Sequence, residues 1–209
     1  MKGFFAFRDS VMNIKIILFI IVLILTSVAT TLIYQHTQQA DINYFKGHKY
    51  FKKGYYSEAI KFYKKVLLID PARLDALTDL ARCYQWTKRY EQAIDAFQKS
   101  LLITPEDNEI KESLAETYSW VKEYKKAINL YSEILETTDN IDIKRELAKV
   151  YIWSNHFEEA KEILLEILKI IPKDKKARLL LARAMQYSGQ SKQAIEIYKK
   201  LLKEANDNE

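Results

Sequence analysis

The sequence predicts an all-α protein: one helix pair repeated about five times, preceded by a single long apolar helix. Three observations carry that prediction. Ala59, Ala93, Ala127, Ala160 and Ala194 are spaced by 34, 34, 33 and 34 residues. Twelve residues before each stands another small residue: Gly47, Ala81, Ala115, Ala148 and Ala182. Near the start, residues 16–33 run without a charged side chain. Self-similarity at a fixed period means that one supersecondary unit is stacked on its own copies, each burying the face of the next. Such a stack offers an extended surface for binding and no single catalytic cleft.

Laying the copies in register justifies the two helices of each unit. Three residues after the first small residue come Tyr50, Tyr84, Tyr118, Tyr151 and Met185. Three before the second come Tyr56, Tyr90, Tyr124, Phe157 and Ser191. Four after it come Tyr63, Phe97, Tyr131, Leu164 and Tyr198. Leu80, Leu114, Leu147 and Leu181 each precede a small residue. Spacings of three and four residues identify amphipathic helices, about 42–53 and 56–68 in the first copy. The small residues let the paired backbones approach, and the rings fill the space beside them. Gly54 and Gly189 fall at the turn between the helices, where a left-handed conformation is tolerated best by Gly. Pro71, Pro105 and Pro172 stop the second helix of copies one, two and four.

This pattern resembles the tetratricopeptide repeat from about Ala40 to Leu202. The resemblance implies a right-handed α-solenoid of about five helix-turn-helix repeats, at roughly 40–73, 74–107, 108–140, 141–174 and 175–205, within a repeat domain 42–205. The end copies depart from the pattern. Asn43 and Lys46 stand where later copies are apolar, as a first repeat with a polar outer face requires. Met185 and Ser191 replace rings in the last copy. Arrays of this family commonly end in an extra solvating helix, and none is expected after Leu202. An uncapped C-terminal repeat would favour self-association.

Composition narrows the function. Three of the four Gly and all three Pro occupy repeat positions, which leaves no glycine-rich loop to cradle a phosphate. Cys83 is the only cysteine and falls on a first helix, where a small buried side chain is expected. His36, His48 and His156 lie in separate segments without metal-ligand spacing and are expected at the surface. No catalytic, cofactor-binding or metal residues are assigned, and no enzyme is expected. The net charge is +5, of which residues 40–209 carry +3. Both signs are interspersed there, and no basic stripe points to nucleic acid.

The apolar run 16–33 would span about 27 Å as a helix, enough for a bilayer core. Lys2, Arg8 and Lys15 precede it, and no cationic side chain occurs from Tyr34 to Phe45. The positive-inside rule leaves residues 1–15 in the cytoplasm and carries the repeats to the periplasmic or extracytoplasmic side. Leu32 and Ile33 extend the run and favour an uncleaved signal anchor. The alternative is a signal sequence cleaved after Ala29, which would release a secreted or periplasmic protein. The linker 34–41 has neither Gly nor Pro, so the anchor is expected to continue into the first repeat helix with little break.

On a helical wheel, Leu77, Leu80, Ala81 and Tyr84 cluster on one side of the first helix of copy two, and Trp86 points away from them. Its equivalents are Trp120, Trp153, Tyr187 and, in copy one, Lys52. Two roles fit this row: packing against a neighbouring repeat, or a ladder of aromatic platforms for an extended ligand. The family resemblance implies that this side of the first helices faces a concave groove. Copy two would line it with Asp75, Thr78, Arg82, Gln85 and Trp86, copy three with Glu109, Glu112, Glu116, Ser119 and Trp120. Copy four would add Asp142, Arg145, Lys149, Ile152 and Trp153, and copy five Arg183, Gln186 and Tyr187. Copy three is acidic, and copies four and five supply Arg145, Lys149 and Arg183, a gradient that would orient a polarised ligand. Family members that clamp a C-terminal carboxylate use Lys and Asn where this chain has Tyr44 and His48, so that mode is not expected.

The function expected is a non-enzymatic, membrane-anchored scaffold whose repeats bind a protein or peptide partner in the cell envelope. The alternative is an accessory to envelope polysaccharide synthesis or export that binds glycan through the Trp/Tyr-lined groove. The element Tyr118–Ala127 resembles repeats of such proteins.

Overall fold

The computed structural model describes the backbone of residues 2–206 and the side chains of residues 17–206. The segment 1–15 expected in the cytoplasm therefore lies outside the described side chains. Among the described residues the chain forms ten α-helices and no strands. They are α1 (Lys2–Lys52), α2 (Tyr56–Ile69), α3 (Leu74–Trp86), α4 (Tyr90–Ile103), α5 (Asn108–Trp120), α6 (Tyr124–Thr137), α7 (Ile141–Trp153), α8 (Phe157–Ile170), α9 (Lys175–Tyr187) and α10 (Ser191–Asn206). The end of α1 and the odd-numbered helices from α3 are the first helices of the repeats, and the even-numbered helices are the second. The chain divides into two compact units, Met1–Ala76 and Leu77–Glu209.

In the first unit, α1 continues through residues 34–41 without interruption. Residues 17–39 are exposed along their whole length, and this helix is long and apolar enough to cross a membrane. Its threonine hydroxyls are satisfied within the helix. Thr26 donates to the Leu23 carbonyl at 2.9 Å, and Thr30 and Thr31 donate to that of Ser27 at 2.8 and 2.9 Å. Such back-bonding removes the penalty of placing a hydroxyl in an apolar medium. From Ala40 onward α1 packs on α2. The contact is tight at Gly47, where an added Cβ would stand 3.0 Å from the fully buried Tyr63 ring. Tyr50 stacks on Phe62 at 5.5 Å.

The polar outer face expected of this repeat is only half realised. Lys46 is exposed, but Asn43 is buried, because its place on α1 falls between Ala40 and Gly47 on the side that meets α2. His36 and His156 lie at the surface as expected. His48 is half-buried instead, since its ring stacks on Tyr44 at 5.9 Å and Phe51 at 6.3 Å.

In the second unit the same local chemistry recurs. Asp107 caps α5 by accepting from the Glu109 and Ile110 amides, Asn140 caps α7 likewise, and Asp174 caps α9 through the Ala177 amide. The turn between paired helices uses one left-handed residue. Gly54 and Gly189 adopt it at φ 77° and 84°, and Lys88, Lys122 and Asn155 adopt it at 58°, 64° and 63°. The following amide then donates back to the end of the first helix: Tyr55 to Tyr50, Arg89 to Tyr84, Glu123 to Tyr118, His156 to Tyr151 and Gln190 to Met185, at 2.8–3.0 Å. The second helices α4, α6 and α8 end at an extended or near-extended residue, Thr104, Thr138 or Ile171. Two of these precede Pro, which excludes the helical conformation before it.

The small-residue pairs form the seam of each repeat. Ala81, Ala93, Ala115, Ala127, Ala148, Ala160 and Ala182 are completely buried. Phe97, Tyr131 and Leu164 are fully buried beside them, and each such side chain contributes about 1.5–3 kcal/mol of apolar burial. Cys83 is fully enclosed as expected, and burial pushes its thiol up to about 12, so it stays protonated and unreactive. At the rim, one cation of the first helix meets a glutamate of the second. Lys111 lies 3.5 Å from Glu133, Lys144 lies 2.5 Å from Glu166, and Arg178 forks onto Glu204 at 2.8 and 2.6 Å.

Two predictions follow from this packing, both read from urea midpoints of the full chain in detergent. Ala115→Leu forces a branched side chain into the α5–α6 seam and should cost about 1–3 kcal/mol; an unchanged midpoint would mean the register is misplaced. Lys122→Gly relieves a left-handed non-glycine residue and should gain about 1 kcal/mol, whereas Gly189→Ala should lose a similar amount.

Candidate functional site

Each first helix from α3 ends on a large ring: Trp86, Trp120, Trp153 and Tyr187. The ring falls there because the left-handed residue two positions later closes the helix. These rings are 64%, 40%, 41% and 60% exposed, respectively. The two middle rings are the more covered, and they have neighbours. Trp120 leans on Tyr90, the first residue of α4 in the preceding repeat, at 5.5 Å between centroids. The Lys149 ammonium lies over the Trp153 ring at 5.4 Å. Tyr187 stacks on Phe157, the first residue of α8, at 5.9 Å. Trp120 and Tyr187 thus brace adjacent repeats, as the packing role expects, and all four rings keep accessible surface.

Four of the expected groove residues are instead buried, Gln85 and Ile152 of them against the next repeat. Gln85 donates from Nε2 to the Ser113 carbonyl at 3.0 Å and to Thr117 Oγ1 at 2.7 Å. Ser119 is buried and returns its hydroxyl to the Ala115 carbonyl at 2.9 Å. Ile152 is enclosed with Leu164, Ala177, Leu181 and Ala184 where α7, α8 and α9 meet. Thr78 is buried and faces Ser100 Oγ at 3.4 Å. The position before each Trp looks polar or mixed in sequence, but it is buried, and at Gln85 and Ile152 the next first helix packs against it.

The charged members remain at the surface in different states. Arg82 lies 3.6 Å from Glu109 and 3.9 Å from Asp79. Arg145 is drawn 2.5 Å from Asp142 and 3.3 Å from Asp174, the cap of α9, so it ties α7 to the start of α9. Lys149 pairs with Glu146. Arg183 is exposed and makes no ion pair or hydrogen bond among the described residues. Gln186 accepts from the Tyr198 hydroxyl at 3.2 Å.

Glu112 and Glu116 are exposed but crowded by like charge. Partial burial, then Glu146, Asp142 and Glu109, hold the Glu112 carboxyl above the ordinary glutamate range. Partial burial, then Glu146 and Glu112, raise Glu116, against the opposing pull of Lys149. The same carboxylates, after burial, push the enclosed Tyr131 hydroxyl far up, which keeps it neutral. Glu146 is the member that the sequence did not single out. Its signal was its place three residues before Lys149, on the same helix face. Among the described residues, no group of three His, Cys, Asp or Glu side chains is placed to hold a metal ion.

Where α7 and α9 run side by side, Ile152, Trp153, Asn155, Arg183 and Tyr187 enclose a cavity of about 380 Å³. The row of rings, the crowded carboxylates of repeats three and four, and this cavity form one candidate binding face. Rings, carboxylates and cations stand side by side on it.

Known proteins place this architecture. A tetratricopeptide repeat family model matches residues 50–116 and 121–184, and a second matches residues 176–205. No curated protein sequence matches the chain. In fold, the chain is similar to a crystal structure of MamA, with a TM-score of 0.71 at 24% identity over 80% of this chain and 92% of that one. It is also similar to a tetratricopeptide repeat protein from Parabacteroides merdae, with a TM-score of 0.75 at 21% identity over 81% of this chain and 68% of that one. A MamA RS-1 double mutant aligns with a TM-score of 0.74 at 16% identity over 82% and 97% of the two chains. With matching family models over more than half its length, and five copies of one helix pair in its structure, the chain belongs to the tetratricopeptide repeat family.

Proposed function

We propose that the chain is a non-enzymatic scaffold, anchored in a membrane by residues 16–33, whose first-helix face binds an extended segment of a protein partner in the cell envelope. The observation that carries this is the row Trp86, Trp120, Trp153 and Tyr187, partly exposed at one recurring position and flanked by charges of both signs. Tetratricopeptide arrays are protein-interaction scaffolds in general. A rigid stack presents such a face with little ordering cost, which favours capture of a flexible segment. Charged side chains pick out the partner more sharply than rings alone, which favours a protein segment over the glycan alternative.

The crowded carboxylates Glu112, Glu116 and Glu146 have a cost in the free array and a use in the complex. Their mutual repulsion opposes folding, and a cationic side chain of the partner relieves it. Under this reading, 34–41 carries the anchor helix into the repeat domain 42–205, and the cationic segment 1–15 holds the cytoplasmic side.

Three tests address this proposal. The double variant Glu112→Lys/Glu116→Lys should lose captured partner while keeping the helical spectrum of the wild type; an unchanged partner set in both proteins would contradict a groove role. The neutral variant Glu112→Gln should stabilise the free array by about 0.2–0.5 kcal/mol at neutral pH, the scale of a like-charge pair on a helix. The sign follows from the raised folded-state value: the native array takes up a proton more readily than the unfolded chain. Wild-type stability from this group therefore rises as pH falls from neutral toward the glutamate range, and urea midpoints should show that rise shrinking in Glu112→Gln. For the anchor, a C-terminally tagged chain should stay full-length in the membrane fraction and yield to protease only after the outer barrier is opened. A soluble product beginning near Thr30 would mean cleavage instead.

A further inference from the structure

We infer that the cavity between repeats four and five is a carboxylate subsite, which takes an Asp or Glu side chain of the bound protein segment against Arg183. The inference rests on the groove reading above and adds to it a side-chain class and a polarity. The supporting observation is a difference among the cations of the face. Arg82, Arg145 and Lys149 each have a carboxylate neighbour within the array. Arg183 has none among the described residues, although it is exposed and lines the cavity. A guanidinium stays charged at every physiological pH and presents a fork that matches a carboxylate.

The walls suit the rest of such a side chain. The Lys149 ammonium lies over Trp153, and Tyr187 stacks on Phe157, contacts that favour these ring positions before a ligand arrives. Buried Ile152 forms an apolar floor for methylene groups. Asn155 sits at the rim on a left-handed backbone that hydrogen-bonds to Ile152, which fixes where its amide begins. The volume, about 380 Å³, is at the small end of ligand pockets and fits one side chain with its backbone. The crowded carboxylates of α5 and α7 do not line it. A single unneutralised guanidinium, with no second free cation in the lining, matches one carboxylate better than a phosphate dianion. The face is therefore polarised: basic residues of the segment lie toward Glu112 and Glu116, and an acidic one lies at Arg183.

The test uses the full chain in detergent micelles, with tryptophan indole N–H resonances assigned by single Trp→Phe variants. The probes are N-acetyl-glutamate methylamide, N-acetyl-glutamine methylamide and glucuronate. The glutamate probe should shift the Trp153 resonance and bind about fivefold or more tightly than the glutamine probe. Arg183→Gln should abolish that preference, and Arg183→Lys should keep part of it. Equal binding of the two amino-acid probes, or binding of neither, would overturn the subsite. Tighter binding of glucuronate would overturn the protein occupant and assign the cavity to an acidic sugar. Probe failure while Glu112→Lys/Glu116→Lys still releases the partner removes the subsite alone; failure of both removes the groove reading as well.

Discussion

The structure depends on how closely two helix backbones can approach within each repeat. Gly47 against Tyr63 marks the limit in the first copy, and the Ala115–Ala127 and Ala148–Ala160 seams repeat the arrangement with one methyl on each side. Close approach sets the angle at which the second helix leaves. It thereby fixes where a pocket opens for Phe97, Tyr131 and Leu164, which are fully buried. Interiors of this density transmit a misfit instead of absorbing it. A larger side chain at one seam would displace a ring, and through the ring the next repeat.

The candidate binding face follows from the same constraint. The left-handed residue that joins the two helices stops the first helix two residues after its terminal ring, so Trp86, Trp120, Trp153 and Tyr187 all fall at a helix end. A ring there can reach the start of the preceding repeat's second helix, as Trp120 reaches Tyr90 and Tyr187 reaches Phe157, without being swallowed by it. Charges then differentiate a surface that the rings make uniform. Repeats three and four gather carboxylates that raise one another's proton affinity, while repeat five offers Arg183 without a partner among the described residues.

The helix pairs, their register and the terminal rings were legible in the sequence because they repeat with a fixed period and depend on local chemistry. Gly54 and Gly189 likewise announced a left-handed turn, but Lys88, Lys122 and Asn155 did not. At those positions the closing hydrogen bonds of the turn override residue preference. The face of Gln85, Ser119 and Ile152 was misread for a different reason. A helical wheel locates a residue around its own axis, but whether the next repeat crosses above that residue is set by two helices together. The pairing of Arg145 with Asp174 was hidden similarly, since the partners are 29 residues apart, one on α7 and one capping α9. Buried Asn43 is replaced in the later copies by Leu77, Lys111, Lys144 and Arg178, a position without a common residue type, so the repeat pattern could not place it.

The central claim is that a protein segment lies along the first-helix face. Site-specific photo-crosslinking in intact cells tests it most directly. A photoreactive side chain would be placed at Arg82 and Gln186 on that face, and at Lys99 and Lys125 on exposed positions of the second helices. The account predicts one shared adduct from the two first-helix positions and none from the other two. Adducts only from the second-helix positions, or the same adducts from all four, would contradict it.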